Sequence, residues 1–136
     1  MFFDTHCHLN FEAFDGRVDN VINEAKKVGV EKIVIPGTDI PTSKAAIEIA
    51  EKYKGIYAAV GIHPHHVFEL FKARERNFYA PAGIQSDLIQ IERLLQNPRV
   101  VAIGEIWIYR HYYKKKKHQD YKVDEEFVEL QNIFFL

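Results

Sequence analysis

Lys32-Ile-Val-Ile-Pro36, closed by Gly37 and followed by Pro41 through Tyr53, sets the architecture. The first segment is an apolar run of strand length, and in the second Ala46, Ile49, Ala50 and Tyr53 recur at helical spacing. Together they make one βα unit, and the same order extends in both directions. Towards the N-terminus, Phe2 to His8 predicts a short strand. From Asp15 a helical stripe of Val18, Val21, Ile22, Ala25 and Val28 runs to Gly29, placed as a C-terminal stop. Towards the C-terminus, Ile56 to Val60 is a third buried run ending in Gly61-Ile-His-Pro-His-His66. Ser86 is placed to cap a helix carrying Leu88, Ile91 and Leu95 before Pro98. Phe68 to Ala82 keeps no clean period and predicts an excursion over the surface. Val100-Val-Ala-Ile-Gly104 is a fourth run, and Val123, Phe127, Leu130 and Phe134 form a fourth helical stripe after a polar loop.

Continuous apolar strands alternating with amphipathic helices imply an α/β fold, a parallel sheet covered by helices with right-handed crossovers. The polar residues gather at one edge of that sheet. Asp4, His6 and His8, then Thr38 and Asp39, then His63, His65 and His66, then Glu105 all fall at or just past the C-terminal ends of the runs. In parallel α/β folds that edge is where ligands bind and chemistry is built.

Composition narrows the function classes. The 136 residues are 47% hydrophobic and 27% charged, the balance of a single folded domain. Eighteen Lys plus Arg against nineteen Asp plus Glu leave a charge of -1, so any nucleic-acid contact must come from a local patch. One cysteine, Cys7, excludes an internal disulfide framework and a cysteine-built zinc knuckle, and suits a reducing cytoplasm. No basic leader and no run of about 18 apolar residues occurs, so an unexported protein with no membrane partner is expected.

In a strand, side chains alternate faces, so His6 and His8 point one way and Cys7 the other, towards the core. Two imidazoles then converge on one point, as suits Zn, Mn, Fe or Ni, with Asp4 orienting a ring or joining the ligands. The bland alternative is a pair of packing histidines. Glu105 follows five small or apolar residues, and a carboxylate is costly to bury unless a cation or donors receive it. It is a candidate to bridge two metals; otherwise it reaches solvent or pairs with Arg110. His63, between Gly61 and Pro64, is placed to bind a phosphate oxygen or to protonate a leaving group. His65 and His66 share that rim or form an exposed cluster. Tyr109-Arg-His-Tyr-Tyr113 and Lys114 to Lys117 mix aromatic and basic residues that can stack on a base and hold phosphates, or simply be solvated. No Gly-rich phosphate loop, serine elbow or cysteine nucleophile context is present. Metal-assisted hydrolysis is the expected chemistry.

Taken together, Phe3-Asp-Thr-His-Cys-His-Leu9, Ile35-Pro-Gly-Thr38, Gly61-Ile-His-Pro-His65 and Ala102-Ile-Gly-Glu-Ile106 resemble the TatD family of metal-dependent deoxyribonucleases. The resemblance spans the chain but only about the first half of a family member. It implies the first half of a (β/α)8 TIM-type barrel, about four βα units, with residues 1–136 one incomplete domain. It further implies divalent-metal phosphodiester hydrolysis of DNA, usually exonucleolytic, with two ions (Mg, Mn or Zn) in a complete relative. Residue by residue, His6 and His8 match the first two metal ligands and Glu105 the metal-bridging carboxylate. His63 matches the histidine at the substrate edge, joined by His65 and Arg110 as substrate contacts. Ile106-Trp-Ile-Tyr-Arg110 departs from the family's Ile-Gly-Leu-Asp continuation, placing Trp107 and Tyr109 where a glycine and a carboxylate are usual.

Two later histidines and a final aspartate of the family site fall beyond Leu136, and the chain closes on the apolar Asn132-Ile-Phe-Phe-Leu136 inside a helical period. Weak or absent turnover by this chain alone is therefore expected. An open half barrel also exposes two strand edges that invite self-association. Two alternatives stand beside the nuclease: an inert fragment or interaction module, and a metal hydrolase of another small substrate.

Overall fold

A computed structural model of the chain describes residues 1–64, 66 and 81–106, with 81–84 described by their backbone. A four-stranded parallel sheet has the order β1-β2-β3-β4, comprising β1 (Phe2–Asp4), β2 (Val30–Pro36), β3 (Ile56–Val60) and β4 (Val100–Ile103). Its helices are α1 (Val18–Lys27), α2 (Ile40–Lys52) and α3 (Pro81–Leu94), preceded by a 3-10 turn over Glu12–Phe14. Each strand pairs in parallel with the next in sequence, the pattern of βα units wound in one direction. This is the α/β architecture expected, laid out as the consecutive strands of a TIM-type barrel. Among the described residues no helix is long and apolar enough to cross a membrane.

The core lies where β2 and β3 meet the helices. Ile33, Ile35, Ile56, Ala58 and Val60 pack with Ile22 of α1, Ala46, Ile47 and Ala50 of α2 and Ile91 of α3. Four consecutive residues of β2, Ile33 to Pro36, are buried, so both faces of that strand are covered. Such a strand reads as an unbroken apolar run rather than an alternating one.

Three sequence expectations change. β1 stops at Asp4 rather than reaching His8, because the chain there bends away to bring the histidines together. α3 starts at Pro81, five residues before the expected Ser86 cap, since proline with its fixed φ is well suited to a first helical turn. The edge strands are not covered like the central pair: Phe2 and Phe3 are 66% and 53% exposed, and Val101 and Ile103 are 54% and 56% exposed. Gly29 ends α1 as expected, at φ 87°. His65, Trp107, Tyr109, Arg110, the lysine run, the fourth helical stripe, the chain end and most of the excursion after Phe68 lie outside the described residues.

Candidate metal centre

The polar edge foreseen at the C-terminal ends of the strands is built by four connections. After Asp4, the His6 amide donates to Asp4 Oδ1 at 3.0 Å and the Cys7 amide to the Val34 carbonyl at 3.1 Å. The second bond holds the His-Cys-His segment against β2 although it is no longer strand, and the first ties it back to Asp4. Asp4 thus orients His6 through its backbone, not through its ring. Cys7 turns towards the core cluster and is partly buried, and burial, with the negative charge of Asp4, pushes its thiol pKa up.

The imidazoles of His6 and His8 converge. Their Nε2 atoms lie 3.2 Å apart, with the rings edge to face at 83°. Glu105 reaches the same point from the end of β4, with Oε1 3.3 Å from His6 Nε2 and Oε2 3.3 Å from His8 Nε2. Its backbone is fixed on both sides: the Gly104 amide donates to the Val60 carbonyl and the Glu105 amide to the Gly37 carbonyl, each at 2.9 Å. The carboxylate side chain is only 10% exposed, and among the described residues its ion-pair partners are the two imidazoles.

This donor set fits a divalent cation. Ligating atoms about 2.0–2.1 Å from one ion sit roughly 3.0–3.4 Å from their neighbours, which is the spacing found here. One ligand atom from each of His6, His8 and Glu105 falls within 4.8 Å of the other two. A carboxylate only accepts hydrogen bonds, and of two facing Nε2 atoms each offers a lone pair unless protonated. Three converging acceptors are mutually repulsive until a cation or protons stand between them.

Beside this cluster opens a cavity of about 420 Å³ lined by His8, Phe11, Thr38, His63, His66 and Glu105. The His63 amide donates to the Thr38 carbonyl at 2.7 Å, which ties the end of β3 to the connection after β2, and Pro64 beside it is buried. His66 also lines the cavity, with Nε2 3.9 Å from Asp39 Oδ2. Asp39 caps α2, accepting from the Thr42 amide at 2.8 Å while Thr42 Oγ1 accepts from the Asp39 amide at 3.0 Å. The rim is therefore anchored to the first turn of a helix.

Two contributors escaped the sequence reading. Phe11 stacks on His8 with ring centroids 4.3 Å apart and planes 16° from parallel. Asn10 Nδ2 donates to the carbonyls of Pro36 and Thr42, both at 3.0 Å. The three-residue spacing from His8 to Phe11 was the available signal, visible only if a turn begins at His8.

The sequence model of the TatD related DNase family matches residues 3–132. A metal-dependent hydrolase of Bacillus subtilis, YabD, otherwise uncharacterised, is 39% identical over 117 residues, 86% of this chain and 41% of the relative. A protein of Klebsiella pneumoniae named 3'-5' ssDNA/RNA exonuclease TatD is 31% identical over 103 residues, covering 76% of this chain and 34% of the relative. The crystal structure of YjjV, a TatD homologue from Escherichia coli, superposes with TM-score 0.69 at 27% identity, covering 98% of this chain and 44% of that one. The chain thus spans less than half the length of these relatives. With a family match running almost from end to end, the chain belongs to the TatD related DNase family.

Proposed function

We propose that this chain carries the metal-holding part of a nucleic-acid phosphodiesterase, cleaving DNA and trimming it from an end. The observation that supports it most is the convergence of His6, His8 and Glu105 on one point beside an open cavity. His6 and His8 would hold the metal through Nε2, and Glu105, with one oxygen facing each imidazole, would be the carboxylate that two ions share. The ions are Mg, Mn or Zn. Such ions would supply Lewis-acid polarisation of the scissile phosphate and activation of a water at neutral pH. His63, which lines the same cavity as His8 and Glu105, is assigned here as a phosphate contact and as the acid for the leaving oxygen, with His65 and Arg110 as further substrate contacts. Residues 1–136 act as one incomplete domain, and the reducing cytoplasm is its proposed location.

The name 3'-5' ssDNA/RNA exonuclease borne by a relative supports a nucleic-acid substrate. The test is incubation of the purified chain with end-labelled single-stranded DNA and Mn²⁺, alongside Glu105→Gln. Slow, chelator-sensitive trimming by the parent and none by the variant is expected. Equal trimming by both rejects the reading.

A second reading is favoured by the exposed apolar residues of β1 and β4, the edge strands of the sheet among the described residues. The chain then self-associates, and hydrolysis requires those edges to be covered.

A further inference from the structure

We infer that Phe11 is a positioning residue for the metal ligand His8, doing by ring stacking what a hydrogen-bond acceptor does at most histidine ligands. The inference rests on His8 being a ligand, as proposed above.

A histidine that binds metal through one nitrogen nearly always donates the other to a carboxylate, carbonyl or water, which fixes the ring. Among the described residues His8 lacks that second partner. Its Nε2 points at Glu105 and His6, while its Nδ1 is buried and has no hydrogen-bond partner among the described residues. What holds the ring is Phe11, stacked nearly parallel on it at 4.3 Å.

The stack is itself fixed, which a chance contact would not be. The Phe11 amide donates to the His8 carbonyl at 3.2 Å, so residues 8 to 11 form a turn that folds Phe11 back over His8. Inside that turn Leu9 is 1% exposed and anchored in the core. Asn10 is pinned by its two bonds to the end of β2 and the first turn of α2. Every residue of the turn is thus committed, and its one outward product is an aromatic plane laid against a ligand. An aromatic pair restricts ring rotation without needing a donor or acceptor. Where both residues line the cavity, the Phe11 ring covers one face of His8.

The test is calorimetric titration of the 136-residue chain with Mn²⁺ alone, for the parent, Phe11→Ala, Phe11→Tyr, His8→Ala and the His8→Ala/Phe11→Ala double variant. Phe11→Ala is expected to weaken Mn²⁺ binding about tenfold, the lower end of what loss of a ligand-orienting partner costs. Phe11→Tyr, which keeps the aromatic plane, is expected to bind like the parent. In the His8→Ala background, removing Phe11 should cost nothing more, because its effect runs through the missing ring. Equal losses from Phe11→Ala with and without His8 would show a general structural role and overturn the inference. So would parent-like affinity in Phe11→Ala. If His8→Ala binds like the parent, the ligand assignment itself fails, a separate outcome. Thermal melting of each variant reports folding, and Phe11→Tyr keeps the test decisive should the alanine variant not fold.

Discussion

Gly61 packs directly against the backbone of Glu105: a Cβ at position 61 would lie 2.9 Å from the Glu105 amide nitrogen and 2.7 Å from the Gly104 carbonyl carbon. The glycine at the end of β3 is therefore what lets the end of β4 approach, and the approach is what presents the carboxylate to the histidines. Neither contacting atom is the end of a flexible side chain, so a methyl group there must move backbone.

Gly61→Ala is expected to weaken metal binding and to destabilise the fold by about 1–3 kcal/mol through overpacking. Calorimetric titration with Mn²⁺ and urea unfolding read the two effects separately. Parent-like metal affinity in the variant would show that Glu105 does not depend on this contact.

Asp39 joins the rim of the cavity to α2 through its capping box with Thr42. Loss of such a cap costs about 0.5–2 kcal/mol. Asp39→Ala should lower the urea midpoint accordingly, and Asp39→Asn, which still accepts from the Thr42 amide, should recover most of it. No change in Asp39→Ala would mean the cap contributes nothing to the folded state.

Much of this layout is legible from residue type. β2 and β3 fall within two residues of their apolar runs, because strands covered on both faces leave an unbroken hydrophobic trace. Glu105 stood out because a carboxylate directly after Val100-Val-Ala-Ile-Gly104 needs a partner. Strand alternation predicts that His6 and His8 converge, and they do, but on a backbone that is not strand. Their meeting depends on the Cys7 amide finding Val34 across a separation of 27 residues, and on Glu105 arriving from the far end of the sheet. Phe11 escaped notice because its role depends on a turn set by Leu9 burial and by the reach of Asn10 to α2. Local spacing cannot express a turn fixed by distant carbonyls.

Tyr53 Oη donates to Asp19 Oδ1 at 2.6 Å, linking the end of α2 to the start of α1. That bond, reinforced by burial and by the charge of Asp19, raises the pKa of the phenol. The neutral phenol is thus favoured in the folded state. Its stabilisation is complete below the pKa of an unfolded tyrosine and is lost as pH rises through the higher folded value. Asp19→Ala should remove this loss, so the urea midpoints of parent and variant should approach each other in alkali. A constant gap between them across that range would contradict the assignment.

The exposed residues of β1 and β4 predict association that depends on concentration. Val101→Lys with Ile103→Lys places charges on β4, the usual protection of an open strand. Sedimentation velocity should show the parent shifting to larger species at high concentration and the double variant remaining monomeric. A parent that stays monomeric throughout would mean that these edges do not associate.

Direct titration of the chain with Mn²⁺ or Zn²⁺ tests the convergence of His6, His8 and Glu105 most directly. The parent should bind either cation, because the two imidazoles and the carboxylate converge on one point. His6→Ala with His8→Ala should abolish that binding while leaving the melting profile of the metal-free chain close to the parent's. Binding of equal affinity in the double variant would contradict the central claim that these two imidazoles and Glu105 hold the metal.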